Sequence, residues 1–156
     1  MPHRLSIVPF TADLAPHFCA LNTEWLEAYF LLEPYDIQVL QNPQEMVLDP
    51  GGKVFFGKRG EDVIATFALT PRGQGVVELN KMAVRKDCRG LGFGHQLLEF
   101  ALQWCREREF RMLELYSSTK LDAALHLYLK FGFVEVPVPD DCVYDRADIR
   151  MQLMLD

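Results

Sequence analysis

The chain has 156 residues, 49% hydrophobic and 24% charged, which are the proportions of one folded domain and exclude wholesale disorder. A domain of this length buries roughly 68–70% of the surface its unfolded chain exposes, so its core needs no disulfide or metal staple. The formal net charge of −6 argues against a protein whose main task is coating nucleic acid or an anionic membrane.

Residues 5–9 alternate weakly and read as a first strand. Thr11 is placed to cap a helix whose first turn carries Asp13. Leu14, Phe18 and Leu21 recur at helical spacing, and Trp25, Leu26, Tyr29 and Phe30 carry the pattern into a second helical segment. Pro34 should end that segment, and residues 40–49 read as a short further helix. After a Pro50-Gly51-Gly52 turn, residues 54–58 and 63–69 flank Arg59-Gly-Glu-Asp62 in a β-hairpin pattern. A turn over residues 71–75 leads into a longer strand, Val76–Val84. The helical period returns near Phe93, with Leu97, Leu98, Ala101, Leu102 and Cys105 on one face. Met112–Ser117 reads as a strand, residues 121–131 as a helix, and residues 133–138 and 149–155 as strands. This order predicts an α/β (α+β) fold in a single domain over residues 1–156. Its centre is a mixed, largely antiparallel sheet of about seven strands flanked by helices.

No run approaches the ~18 apolar residues of a membrane span, and residues 1–10 lack the apolar core of a secretory signal. Cys19, Cys88, Cys105 and Cys142 include no C-x-x-C pair, and His3, His17 and His126 offer no metal spacing. A reduced, cytoplasmic protein without a metal, a membrane partner or a nucleic-acid partner fits best. The sequence is compatible with a homodimer and does not fix the oligomeric state.

Arg89-Gly-Leu-Gly-Phe-Gly94 lies between a strong strand and a strong helix. Alternate glycines permit positive φ and close approach of a ligand, and a helix entry offers free N–H groups to a pyrophosphate. The dinucleotide fingerprint fails, because its third glycine would fall on His95 or Leu97, and no Gly-Lys-Ser/Thr of a Walker loop follows. The loop resembles the R/Q-x-x-G-x-G/A segment of the GNAT acetyltransferase superfamily. Glu78-Leu-Asn-Lys-Met-Ala-Val84 is similar to that family's fourth strand, and Leu127-Tyr-Leu-Lys-Phe-Gly-Phe133 to its L-Y-x-x-x-G-F segment.

The resemblance implies a GNAT-like fold and acetyl-CoA as cosubstrate, with coenzyme A held by Arg89, Gly90, Leu91, Gly92, Phe93 and Gly94. It also implies that the fourth strand splays from the fifth, freeing backbone groups of Met82, Ala83 and Val84; the plainer reading is three strand residues with paired backbones. Periodicity alone makes Tyr128 a core tyrosine beside Leu121, Ala124, Leu125 and Phe131. The resemblance makes it the acid that protonates the departing thiolate, a role that a phenol of pKa about 10 is protonated to fill. Many members carry an Asn seven residues before that tyrosine; here the position is Leu121, leaving Ser117, Ser118 or Thr119 as substitutes.

Glu78 is the candidate base for the acceptor amine if burial raises its pKa, and otherwise a surface strand carboxylate. His95 reads more readily as a loop or helix-surface residue. Glu24, Glu27, Glu33 and Asp36, interleaved with Trp25, Tyr29, Phe30 and Tyr35, would suit a cationic acceptor, although a solvated amphipathic face has the same pattern. The function implied is N-acetyl transfer to a primary amine of a small molecule or peptide. A module that holds acyl-coenzyme A without turnover remains the alternative.

Overall fold

The computed structural model describes residues 4–142 and 146–155; His3 lies outside them. Seven strands form one sheet in the order β1-β2-β3-β4-β5-β7-β6. These are β1 (Ser6–Pro9), β2 (Lys53–Arg59), β3 (Asp62–Gly73), β4 (Val76–Val84), β5 (Met112–Ser117), β6 (Val134–Val136) and β7 (Ile149–Met154). Every pairing is antiparallel except β4 with β5, which a helical crossover joins in parallel. The helices are α1 (Ala15–Tyr29), α2 (Pro34–Gln41), α3 (Phe93–Glu107) and α4 (Asp122–Lys130).

Strand alternation divides the core into two layers. Val54 and Phe56 of β2 join Phe18, Leu21 and Leu26 of α1, while Phe55 between them joins Phe67, Leu97 and Leu98 on the opposite side. Residues 63–69 of β3 are buried throughout, because helices cover both faces of the sheet there. α3 turns Phe93, Leu97, Leu98, Ala101, Leu102 and Cys105 inward, and burial pushes the Cys105 thiol up to about 12, so it is an inert core group. All four cysteines are free.

Four boundaries differ from the sequence reading. α1 runs unbroken from Ala15 through Trp25 to Tyr29, so the division between helices falls after Phe30. Pro34 begins α2 rather than ending its predecessor, since proline's fixed φ suits the first helical turn and the missing N–H has no partner there anyway. The helix expected over residues 40–49 is instead the end of α2 followed by one wide turn, Gln44–Leu48. Asn42 stands before Pro43 with ψ 56°, outside the helical region that a following proline disfavours. Finally, β3 continues through Pro71 to Gly73 and the turn tightens onto Gln74 and Gly75, both at positive φ. Pro71 lies beyond the last β2 pair at Leu69, so its lacking N–H breaks no ladder.

One buried charge cluster ties distant segments together. Asp36 in the first turn of α2 is fully buried and accepts the Glu33 backbone N–H at 3.0 Å. Its carboxylate also meets Lys81 Nζ of β4 at 2.9 Å and Arg146 at 2.7 and 2.9 Å. Arg146 reaches Glu33 as well, at 3.0 Å. Burial alone would raise the Asp36 carboxyl, but hydrogen bonds and charge from Arg146 and Lys81 outweigh it and hold it at about 2. Lys81 is held below its ordinary value, because burial outweighs the attraction of Asp36.

Asp36→Asn would leave two cations short of their shared counter-charge, and should cost about 3–5 kcal/mol in urea unfolding. Because Asp36 titrates at about 2 when folded and near 3.8 ordinarily, its contribution is complete above pH ~4 and fades as pH falls through 2. The variant should lose that part of the parent's acid dependence.

Candidate active site

β4 and β5 pair only at Val76–Met112, Val77–Leu113 and Glu78–Glu114, and beyond Glu78 they part. β4 is bulged just past this fork. Ala68 of β3 faces Asn80 while Thr66 faces Ala83, so Lys81 and Met82 stand opposite Phe67 alone. Lys81 absorbs the extra residue at φ 54°, a left-handed conformation that costs a side-chain-bearing residue about 1–2 kcal/mol. The ion pair to Asp36 holds it there. Between residues 79–84 and 115–118 a cleft of about 460 Å³ opens, walled by Trp25, Tyr29 and Phe30 of α1 and by the starts of α3 and α4.

The glycine loop supplies one end of this cleft. Gly90 and Gly92 have φ of 78° and 86°, and a Cβ on either would meet no atom within 4 Å. What glycine provides there is the left-handed turn and open access rather than relief of a clash. Gly92 precedes the 15-residue α3 with no side chain capping it, so the first-turn N–H groups and the positive dipole end lie beside the cleft. Gly90, Gly92, Phe93 and Gly94 line it, whereas Leu91 points outward and is exposed. Arg89 braces the loop: its Nε donates to the Val84 carbonyl at 2.9 Å, and its guanidinium approaches Glu24 and the Tyr29 ring. The Arg85 N–H bonds Ile64 of β3 at 2.7 Å. Strand alternation then directs the Val84 backbone toward the cleft, where Arg89 takes the carbonyl and leaves the N–H.

Tyr128 of α4 lines the same cleft and packs on Phe133 at 5.7 Å between ring centres. Among the described residues its hydroxyl forms no hydrogen bond, and burial pushes its pKa up to about 12. Glu78 sits at the fork, buried, with Arg72 at 2.7 Å on Oε1 and the Asn80 amide at 3.2 Å on Oε2. Arg72 Nε also donates to Oε1 at 2.9 Å, so Oε2 is the oxygen with room for another donor. Ser117 and Ser118 line the cleft; Thr119 does not, because its N–H and hydroxyl both bind Asp148 at 2.8 Å. His95 lies outside against Phe131, ring centres 4.8 Å apart.

The profile of the Acetyltransferase (GNAT) family matches residues 18–133. The chain belongs to the GNAT acetyltransferase family. A mycothiol acetyltransferase of Cellulomonas flavigena is 30% identical over 115 residues, which is 73% of this chain but only 29% of that protein. A GNAT-family acetyltransferase of Staphylococcus aureus Mu50 superposes with a TM-score of 0.86 at 19% identity, covering 97% of this chain and 99% of that one. The spermidine N-acetyltransferase of Vibrio cholerae, solved with coenzyme A and spermine, superposes at 0.76 with 21% identity over 97% and 96% of the two chains. The GNAT-like fold expected from the sequence is therefore the fold observed.

The GNAT cleft gathers Tyr128, Glu78, Met82, Ala83, Val84 and the glycine loop, together with Tyr29. It does not gather the acids. Glu24 accepts the Lys86 N–H at 2.8 Å and lies near Arg89, Glu33 meets Arg146, and Asp36 is fully buried under two cations. Glu27 is exposed, and none of these four lines the cleft. Conversely, sequence reasoning passed over Lys81, Lys120, Tyr116 and Arg146, all of which do. A lysine between the apolar residues of a strand was a usable signal for Lys81. Arg146 lies 110 positions from Asp36, and no local pattern joins them.

A tyrosine whose proton is held to about 12 in the fold, against 10.0 ordinarily, contributes stability that is complete below pH 10 and lost as pH rises through 12. Tyr128→Phe should therefore soften the alkaline fall in stability. Absorbance titration of the folded parent and variant should differ by no tyrosinate below pH 10.

Proposed function

We propose that this chain transfers an acetyl group from acetyl-CoA to a primary amine by direct attack within a ternary complex. The observation that carries the reading is the parting of β4 from β5 beside an uncapped, glycine-led helix start, with the unpartnered Tyr128 hydroxyl in the same cleft. Acetyl-CoA supplies the activated acyl group. The chain's own groups fit it: open space at Gly90 and Gly92, free first-turn N–H groups on α3, and a β4 backbone edge with no strand against it.

In this reading, Phe93 and Gly94 N–H groups hold the pyrophosphate, and Arg89 fixes the loop against Val84. The Val84 N–H, with the backbone of Met82 two positions earlier, stabilises charge developing on the thioester oxygen, while the Ala83 backbone pairs with Thr66 of β3. Glu78 accepts the ammonium proton, directly or through water, so that a neutral amine forms the C–N bond. As the C–S bond breaks, Tyr128 donates its proton to the thiolate, and the second proton of the attacking nitrogen, lost as the amide forms, restores the phenol through water. Its high pKa keeps that proton in place throughout the neutral range. Ser117 and Ser118 stand where they can meet the pantetheine arm in place of the missing Asn.

Gly92→Glu adds a side chain at positive φ and a like charge at the pyrophosphate site. It should weaken acetyl-CoA binding at least tenfold in calorimetry while leaving a folded protein; unchanged affinity would reject the site. With an amine panel and acetyl-CoA, free thiol should appear in the parent, and Tyr128→Phe should lower kcat by about 10²–10⁴-fold. Tight binding without turnover of any amine would instead favour a module that only holds acyl-coenzyme A.

A further inference from the structure

The charges that line the cleft run against the acidity of the chain. Lys81, Arg89, Lys120 and Arg146 line it, against Glu78 and Asp122. Arg89 belongs to the loop end and Lys81 to the buried pair with Asp36, while Glu78 is matched by Arg72. Asp122 stands in the first turn of α4, where the helix dipole favours an anion. That leaves the aromatic wall of α1 as the distinctive feature of the remaining space. Trp25 packs on Tyr29 at 5.2 Å and on Phe30 at 6.1 Å between ring centres. Over Phe30 itself stand two cations, Lys120 Nζ at 5.6 Å and Arg146 Cζ at 5.8 Å from the ring centre.

Arg146 spends hydrogen bonds on Glu33 and Asp36, so its part is charge rather than a free donor. Lys120 is exposed and forms no salt bridge among the described residues. Resting on the acetyl-transfer reading above, we propose that the acceptor is an amine that also carries a carboxylate, an amino acid with an apolar side chain. Its amine points to Glu78, its side chain lies on Trp25 and Phe30, and its carboxylate meets Lys120. A polyamine would bring a second ammonium into the field of Lys120 and Arg146, against which the cleft lining sets only Asp122 besides Glu78.

The test gives the parent, Lys120→Gln and Lys120→Glu acetyl-CoA with the common amino acids, their carboxamides and spermidine. The parent should prefer at least one free amino acid over its carboxamide by about tenfold or more in kcat/KM. Lys120→Gln should raise that KM about 10- to 100-fold with kcat within threefold, and remove the preference, because the carboxamide never used the charge. Lys120→Glu should move the preference toward spermidine. A parent that turns over spermidine or the carboxamides as well as any amino acid overturns the proposal, as does a preference that survives Lys120→Gln.

If the parent binds acetyl-CoA but turns over no amine, the transfer reading fails and the charge assignment is decided separately. Calorimetry on the coenzyme A-loaded protein would then compare N-acetyl amino acids with their carboxamides. Binding that needs both the carboxylate and Lys120 sustains the assignment. Absence of binding, or binding indifferent to Lys120→Gln, ends it.

Discussion

The whole arrangement depends on one extra residue in β4 and on the charge that secures it. A strand with two residues opposite one on its neighbour must bend, and Lys81 takes the left-handed backbone angle that the bend demands. That angle costs a side-chain-bearing residue about 1–2 kcal/mol. Here the compensation is a 2.9 Å ion pair to a fully buried aspartate that is itself fixed at the start of α2. Burying such a pair gains little in net stability, because desolvation offsets attraction. Its effect is on geometry: removing Asp36 strands Lys81, so the bulge and α2 hold one relative position.

From that fixed bend the cleft follows. The β4–β5 ladder stops at Glu78, and the backbone beyond it faces open space instead of a partner strand. A sheet interior does not tolerate unpaired donors, yet a ligand-binding edge requires them. The glycine loop and the start of α3 add more free N–H groups on the same side, so backbone donors from β4 and α3 face the cleft together. Arg89, bonded to the Val84 carbonyl, removes one acceptor from that edge.

The order of elements, the hairpin, the α3 face and the glycine loop were all legible in the sequence, because each rests on contacts between residues close in the chain. Val54, Phe55 and Phe56 declare two buried faces by alternation, and Leu97, Leu98 and Ala101 declare one by helical period. Pro34 was misread because a proline both stops one helix and starts another, and only the extended Phe30 at φ −144° shows which applies. The bulge was not legible at all. One inserted residue leaves the apolar pattern of β4 nearly unchanged, and its cause lies 45 positions away at Asp36.

The acids of residues 24–36 show the same limit in electrostatic form. On a helical wheel they form a plausible trap for a cation, and the chain's net charge of −6 encourages that view. In the fold Glu24 answers Arg89 from 65 positions away and Glu33 answers Arg146 from 113 positions away. Glu24 and Glu33, each answered by a guanidinium and set away from the cleft, offer little to a cationic ligand, while the cations themselves bring their charge to the cleft wall. Total charge therefore governs solubility and long-range approach, but the sign a ligand meets is set by which partner of each pair stands nearer the opening. Here Arg146 and Arg89 line the cleft, and Glu33, Asp36 and Glu24 stand behind them.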